Sequence, residues 1–199
     1  MRKALLASMA LLLVIIAHVG IGTAAVTGDP PVKGGLPLLI TNAGQGPGGK
    51  MARLLVTQSK AIDPADFDYN AEPWEEDLRA RPYKTLMVVI GSTAKGLGAS
   101  GITIDQEIAR LNRMIAEAKR LNMQIVAVLL EGKIRRGQPG GADERSIDAI
   151  IPHAHYLVVK KDGNADNKFT IMANKNKVPL TFIDNEIDFT QVVKAMYAK

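Results

Sequence analysis

The chain contains no cysteine. This absence excludes disulfide bonds, thiol catalysis and cysteine-based metal sites, and it leaves no residue for a lipoprotein-type lipid anchor. Aromatic residues are also scarce, at 5% of the sequence with a single tryptophan. With 199 residues and 47% hydrophobic content, the chain is long enough to form one aliphatic core, and packing of that core must supply its stability.

The net charge is small as well. The formal charge is +5 over the whole sequence. Without Arg2 and Lys3, 23 of the 25 basic residues remain against 20 acidic ones, which gives +3. Basic and acidic residues alternate along the predicted helices, whereas a nucleic-acid-binding surface needs a dense basic face. We therefore predict that the protein has no nucleic-acid partner.

The N-terminal residues have the layout of a secretory signal peptide. Arg2 and Lys3 precede an uninterrupted apolar run over residues 4–17, and small residues follow as far as Ala25. We predict a signal peptide over residues 1–25, an exported protein located in the periplasm or outside the cell, and only transient contact with the membrane. The alternative is an uncleaved anchor, because residues 4–26 are just long enough to span a bilayer.

The rest of the chain is predicted to form a linker and one domain. Residues 26–35 combine proline and glycine without periodicity, which is typical of a linker. Residues 36–199 alternate apolar runs with amphipathic helices, which predicts a three-layer α/β sandwich with a mostly parallel, doubly wound sheet of five to six strands. The strand order is predicted to be Rossmann-like or flavodoxin-like, and 2-1-3-4-5 is favoured. Strands are predicted at 36–41, 66–70, 85–90, 124–130, 156–159 and 180–183.

The most regular predicted helix begins at a capping box formed by Thr103 and Gln106. Its apolar stripe includes Ile108 and Leu111, and Arg110 is predicted on the opposite, solvent-facing side.

Two glycine-rich loops, at 42–49 and 91–101, follow the first and third predicted strands. Ligands in such sheets bind at the carboxyl ends of the strands where the order reverses, so the two loops are expected to form a concave site. Backbone N–H groups and helix N-termini there suit a phosphate or carboxylate. The predicted ligand-binding residues are Asn42, Gly44, Gln45, Ser92, Thr93, Lys95 and Gly96, with Arg135, Arg136 and Asn164 from flanking loops.

Nucleotide motifs fit these loops poorly. The run Gly44–Gly49 matches G-x-G-x-x-G and has Asp66 roughly 20 residues further on, as a dinucleotide site would. Pro47 stiffens that loop, however, and an exported protein rarely meets nicotinamide cofactors. Lys95 precedes Gly96 instead of following it, so the second loop is not a P-loop. Neither loop offers the aromatic rings that a flavin site needs, and we predict no cofactor.

Catalytic and metal motifs are equally weak. No G-x-S-x-G is present, and His153 and His155 precede the fifth predicted strand, at the edge opposite Ser92. These two histidines are a weak metal signal, and Asp63 with its acidic neighbours could bind a hard cation, but turns and polar loops explain both patterns. We predict neither a catalytic residue nor a metal ligand.

Three classes of function follow. The leading hypothesis is an exported protein that binds a small polar or anionic molecule between the two glycine loops. The second is an enzyme that uses the same pocket, with Glu131 or Asp162 as acid or base, or a nucleotide- or flavin-binding protein. The third is a non-catalytic interaction module of the cell envelope.

Four stretches of the chain resemble a bacterial family of exported proteins, domain of unknown function 6305. They are 38–45 (LLITNAGQ), 83–102 (YKTLMVVIGSTAKGLGASGI), 127–137, which ends in Arg135-Arg136-Gly137, and 153–164 (HAHYLVVKKDGN). The resemblance covers essentially the whole mature chain. It implies that the shared motifs lie at strand ends and in loops, and it brings no established activity, substrate or catalytic residue. In the family, the segment after Gln45 is not generally glycine-rich, which argues against a dinucleotide site.

Overall fold

The computed structural model describes residues 25–198. All of the predicted signal peptide except Ala25 lies outside these residues. The strands are β1 (Val26–Gly28), β2 (Leu38–Ala43), β3 (Phe67–Tyr69), β4 (Thr85–Ile90), β5 (Gln124–Leu129), β6 (Tyr156–Lys160) and β7 (Leu180–Ile183). The α-helices are α1 (Gly48–Ser59), α2 (Glu75–Arg79), α3 (Ala94–Ala99), α4 (Ile104–Arg120), α5 (Ala142–Ile150), α6 (Lys168–Asn176) and α7 (Phe189–Tyr197).

All seven strands belong to one sheet, in the order β1-β7-β6-β5-β4-β2-β3. The strands β2 to β7 run parallel to their neighbours, and β1 pairs with β7 in the antiparallel direction. The mostly parallel α/β sheet is therefore confirmed. The predicted count of five to six strands is too low, because Val26–Gly28, which the sequence assigns to the linker, adds a strand at the edge.

Helices cover both faces of the sheet. Alternate side chains of β4 enter different cores: Leu86 and Val88 pack against α4, α5 and α6, whereas Met87 and Val89 pack against α1 and α7. A strand has a side-chain period of two, so a strand covered on both faces is apolar at every position. The continuous apolar runs in the sequence have this origin. Among the described residues, no helix has the length and hydrophobicity needed to cross a membrane.

Two helices begin inside segments that the sequence assigns to glycine loops. Helix α1 begins at Gly48, and the short helix α3 lies in the middle of the second loop. The Oγ1 atom of Thr93 caps α3 by accepting the N–H of Gly96 at 2.7 Å. The capping box that Thr103 and Gln106 were predicted to form is confirmed at the start of α4.

Candidate functional site

The two glycine loops lie side by side at the carboxyl edge of the sheet. Strands β2 and β4 are direct neighbours, and Ala43 and Ile90, the last residues of the two strands, are paired in register. Parallel pairing makes both strands end at the same edge. The loops that follow them are therefore adjacent, as the sequence predicts.

The loops are in direct contact with each other. Gly44 has a positive φ of 94°, and a Cβ atom there would lie 2.5 Å from Cα of Ser92. A Cβ atom on Gly96 would lie 1.8 Å from the carbonyl oxygen of Gln45. Glycine at these positions allows the two backbones to approach closely. The glycines thus serve loop–loop packing and do not by themselves leave room for a ligand.

A carboxylate of the protein itself occupies the expected anion position. Glu107 of α4 is fully buried, and its Oε1 atom accepts the N–H of Gly44 at 2.8 Å. Gln45 donates to Oε2 at 3.4 Å, and Arg110 donates from Nε and Nη2 at 2.9 and 2.7 Å. Burial raises the pKa of Glu107, but the hydrogen bonds and charge of Arg110 outweigh it, so the net shift is downward.

The Glu107–Arg110 ion pair also binds neighbouring segments of the chain through hydrogen bonds from Arg110 to their backbone. Arg110, which is only 4% exposed, donates to the carbonyl oxygens of Asn42 and Pro73, both at 3.2 Å. The prediction that Arg110 faces solvent is therefore wrong. Asn42 accepts the N–H of Gly49 at 2.7 Å and donates to the Tyr69 hydroxyl at 3.2 Å. These contacts give Asn42 an internal structural role.

Two predicted ligand residues in the flanking loops are held by other protein groups. The guanidinium of Arg136 pairs with Glu144 and Asp166 at 2.7 Å each, and it also donates to the carbonyl oxygen of Gly163. Asn164 donates to Thr170 and accepts the N–H of Phe169 at the start of α6. Arg136 and Asn164 thus connect the loops after β5 and β6 to α5 and α6. Lys95, in contrast, is exposed at the start of α3.

Arg135 lies over the second glycine loop. A Cβ atom on Gly91 would be 2.7 Å from Cβ of Arg135, so the arginine stem packs on the backbone just before Ser92. Its guanidinium pairs with Glu131, and a Cβ atom on Gly48 would lie 3.3 Å from Oε2 of Glu131. The Glu131 carboxylate therefore lies beside the N-terminus of α1, where negative charge is favourable.

Three buried polar atoms at this edge have no hydrogen-bond partner among the described residues. They are Oγ of Ser92, Nε of Arg135 and Oδ1 of Asp143. Asp143 lies in the first turn of α5. Burial raises its pKa, Arg135 lowers it, and Glu144 and Glu131 raise it further, with a net upward shift. We call Ser92, Glu131, Arg135 and Asp143 the edge cluster.

The family model described as Domain of unknown function (DUF6305) matches residues 35–197. The chain belongs to this family. The match runs from just before β2 through α7, so it includes both glycine loops, the Glu107–Arg110 ion pair and the edge cluster. No curated protein and no solved structure matches the chain.

The histidines of this DUF6305 domain lie at the amino edge of the sheet, as predicted. Nδ1 of His155 accepts the N–H of Ile125 at 2.9 Å, and Nδ1 of His153 lies 2.9 Å from Nζ of Lys119. A backbone amide and an ammonium group can only donate, so both Nδ1 atoms accept and each Nε2 atom carries the proton. A protonated Nε2 is a donor and not a metal ligand.

The acidic segment that might have bound a hard cation is tied to other protein groups. Asp63 accepts the N–H of Ala65 at 2.8 Å, and Asp68 accepts from Arg81 and Tyr83 at 2.6 and 2.7 Å. Within residues 25–198, no group of three or more histidine or acidic side chains is arranged to hold a metal.

Glu107, Arg110 and Asp143 are not among the ligand-binding residues predicted from the sequence. For the ion pair, the sequence does contain a pattern that indicates burial. On the same helix, Glu107 lies four residues before Leu111, and Arg110 lies four residues before Met114. That spacing places both charged residues over the buried side of α4. For Asp143 the sequence holds no comparable signal, because an acidic residue in the first turn of a helix is common.

Ser92 allows a direct test of an unpartnered buried hydroxyl. We expect Ser92→Ala to raise the free energy of unfolding by about 1 kcal/mol in urea denaturation, because the variant no longer buries an unsatisfied polar group. Ser59 is a matched control: it is also buried, but its Oγ donates to the Val56 carbonyl oxygen at 2.6 Å and accepts the N–H of Ala61. Ser59→Ala should therefore cost about 1 kcal/mol. An equal loss in both variants would contradict the assignment of Ser92 as unpartnered.

Proposed function

We propose that this DUF6305 domain is an exported bacterial protein that binds a small polar molecule at the carboxyl edge of its sheet. The edge cluster carries the proposal, since Ser92, Arg135 and Asp143 each bury a polar side-chain atom that has no partner among residues 25–198. Buried polar atoms nearly always have a hydrogen-bond partner in folded proteins. A bound polar molecule would supply that partner. Export rests on the sequence of residues 1–25.

The position of the edge cluster supports a ligand site. The order of the six parallel strands, β3-β2-β4-β5-β6-β7, supports a flavodoxin-like winding, in which β2 and β4 lie on either side of the point where the order reverses. Helix α1 follows β2 onto one face, and α4 lies on the other. Ligands of open α/β sheets bind at the carboxyl ends of the strands at such a point.

The chemistry of the edge cluster narrows the ligand class. Glu107 already accepts the N–H of Gly44, and Glu131 already lies beside the N-terminus of α1, so the protein provides its own anions here. The cluster offers a donor at Arg135 Nε, an acceptor at Asp143 Oδ1, and a hydroxyl at Ser92 that can do both. A small molecule with both donors and acceptors, such as an amino acid or a polyol, fits this set better than a simple anion.

An enzyme that uses the same edge of the sheet is a second candidate, and Asp143 favours it. Burial raises the pKa of the Asp143 carboxyl group, and a partly buried carboxyl group with a raised pKa is a candidate for proton transfer. Glu131 is less suitable because its carboxylate is paired with Arg135. Asp162 is exposed and accepts the N–H of Lys133 at 3.2 Å. Asp143 thus replaces Glu131 and Asp162 as the proposed acid or base.

Native mass spectrometry of the purified protein, followed by thermal-shift screening, tests the proposal. The probes are amino acids, dicarboxylates, monosaccharides, polyols and nucleoside monophosphates. We expect at least one probe class to stabilise the protein, because a ligand at 100 times its Kd contributes about 2.7 kcal/mol. Ser92→Ala and Asp143→Asn should each lower the affinity for that probe about 5- to 150-fold, since one lost hydrogen bond to a buried group costs about 1–3 kcal/mol.

Asp148→Asn is the matched control for Asp143→Asn. Both residues are aspartates of α5, but the Asp148 side chain is 57% exposed and paired with Lys168. Its substitution should leave the affinity unchanged. A probe whose affinity is the same in the wild type, Ser92→Ala and Asp143→Asn binds elsewhere, and that result would remove the edge cluster as the site. If no probe class binds or stabilises the protein, the proposed small-ligand function itself is wrong.

A further inference from the structure

A cavity of about 460 Å³ lies at the amino edge of the sheet, on the side opposite the edge cluster. It is bounded by the last turn of α4, the turn before β6 and the end of α6. Its polar lining is Lys119, His153, His155, Asn176 and Lys177, and the remaining lining residues are Pro152, Ala154 and Val178. Among the described residues, no acidic side chain belongs to this lining.

Hydrogen bonds at Nδ1 fix the tautomer of both imidazole rings. The Nδ1 atoms of His153 and His155 accept from Lys119 and from the Ile125 amide, both at 2.9 Å. Each ring therefore carries its proton on Nε2. This arrangement also excludes Nε2 metal coordination without loss of the Nδ1 hydrogen bond.

The positive charge at this cavity is not neutralised by a carboxylate. In the part of the chain that the structure describes, neither Lys119 nor Lys177 forms an ion pair, whereas Arg120, next to Lys119, pairs with Glu117 at 2.7 Å. Lys119 lies in the last turn of α4, and Lys177 is the C-cap residue directly after α6. Helix C-termini favour a nearby cation by about 0.3–1 kcal/mol. That effect accounts for lysines at these positions but not for two imidazole donors and an acid-free lining.

We propose that this amino-edge cavity binds a small molecule through a phosphate or carboxylate group. Lys119 and Lys177 supply the positive charge, and Nε2–H of His153 and of His155 donate hydrogen bonds to the oxyanion. The cavity is open to solvent, and its volume of about 460 Å³ is within the usual range for small-molecule sites, about 300–1,000 Å³. This site is independent of the edge cluster and of the function proposed for it.

NMR titration of the full purified protein tests the proposal. Inorganic phosphate and citrate are the two probes, and sodium chloride at equal ionic strength is the reference. We expect one or both probes to shift the Nε2 resonances of His153 and His155 and the amide of Lys177 saturably, beyond any shift with chloride. The probe that binds more tightly identifies the group as phosphate or carboxylate.

Three lysine variants distinguish binding at a specific site from nonspecific electrostatic attraction. Lys119→Ala and Lys177→Ala should each raise the Kd of the probe by about fivefold or more, as expected for one lost charge-assisted hydrogen bond. Lys175→Ala removes the same charge from the same end of α6 at a residue that does not line the cavity, and it should leave the Kd unchanged. An equal effect of Lys175→Ala and Lys177→Ala, or shifts no larger than those with chloride, would overturn the proposal. An imidazole ¹⁵N spectrum with the proton on Nδ1 would overturn it as well.

Discussion

Glu107→Ala is expected to lower the free energy of unfolding by about 3–5 kcal/mol, the range found when one partner of a buried ion pair is removed. Arg110 remains buried and charged in this variant, and it loses two hydrogen bonds to the carboxylate. The N–H of Gly44 loses its acceptor as well. Urea denaturation at neutral pH measures the change, and the m-value shows whether the folded state remains compact.

Two further variants test whether burial is the cause. Asp105→Ala breaks the ion pair of Asp105 with Arg145 on the same side of the protein, but the Asp105 side chain is 77% exposed. Such a pair contributes about 0–1 kcal/mol. The double variant Glu107→Leu/Arg110→Met replaces both charges with apolar side chains and should recover much of the loss, because no buried charge is left unpaired. A cost for Glu107→Ala no larger than that for Asp105→Ala would contradict the role assigned to the ion pair.

The sequence predicts the sheet well because burial on both faces produces a continuous apolar run. The runs at β4 and β5 indicate central strands, and parallel pairing then places the following loops at one edge. Strand β1 gives no such signal. It has three residues within a proline- and glycine-rich segment, and it becomes a strand only by pairing with β7, more than 150 residues further along the chain.

Local spacing in α4 could have indicated that Glu107 and Arg110 are buried, but it could not show that Glu107 reaches the predicted anion position. Gly44 and Glu107 are 63 residues apart in sequence, so their contact depends on how α4 packs across the loop. Arg110 was placed on the solvent side because it lies opposite the apolar stripe that includes Ile108 and Leu111. Its burial is tolerated because Glu107 is buried with it. Similarly, the doublet Arg135-Arg136 contains no indication that Arg136 pairs with Glu144 and Asp166 while Arg135 packs over Gly91.

Gly96→Ala and Gly98→Ala should change stability in opposite directions, although both put alanine into helix α3. A Cβ atom on Gly96 would lie 1.8 Å from the carbonyl oxygen of Gln45 and 2.6 Å from Oγ1 of Thr93. The Gln45 carbonyl oxygen belongs to the backbone of the other glycine loop, so the two loops must move apart to make room for the Cβ atom. We expect a loss of about 1–3 kcal/mol, as for other overpacked sites. A Cβ atom on Gly98 would meet nothing within 4 Å, so Gly98→Ala should gain about 0.5–1 kcal/mol from helix propensity.

Urea denaturation of the two variants therefore tests the loop–loop contact without any ligand. Helix propensity alone would make both substitutions stabilising, and that result would show that the loops do not touch at Gly96. A loss confined to Gly96→Ala would show that the glycine is required by the neighbouring loop. Because Ser92 lies four residues before Gly96 in the same loop, separation of the loops should also disturb the edge cluster. Gly96→Ala should then lower the affinity for any probe that binds at the edge cluster, whereas Gly98→Ala should leave that affinity unchanged.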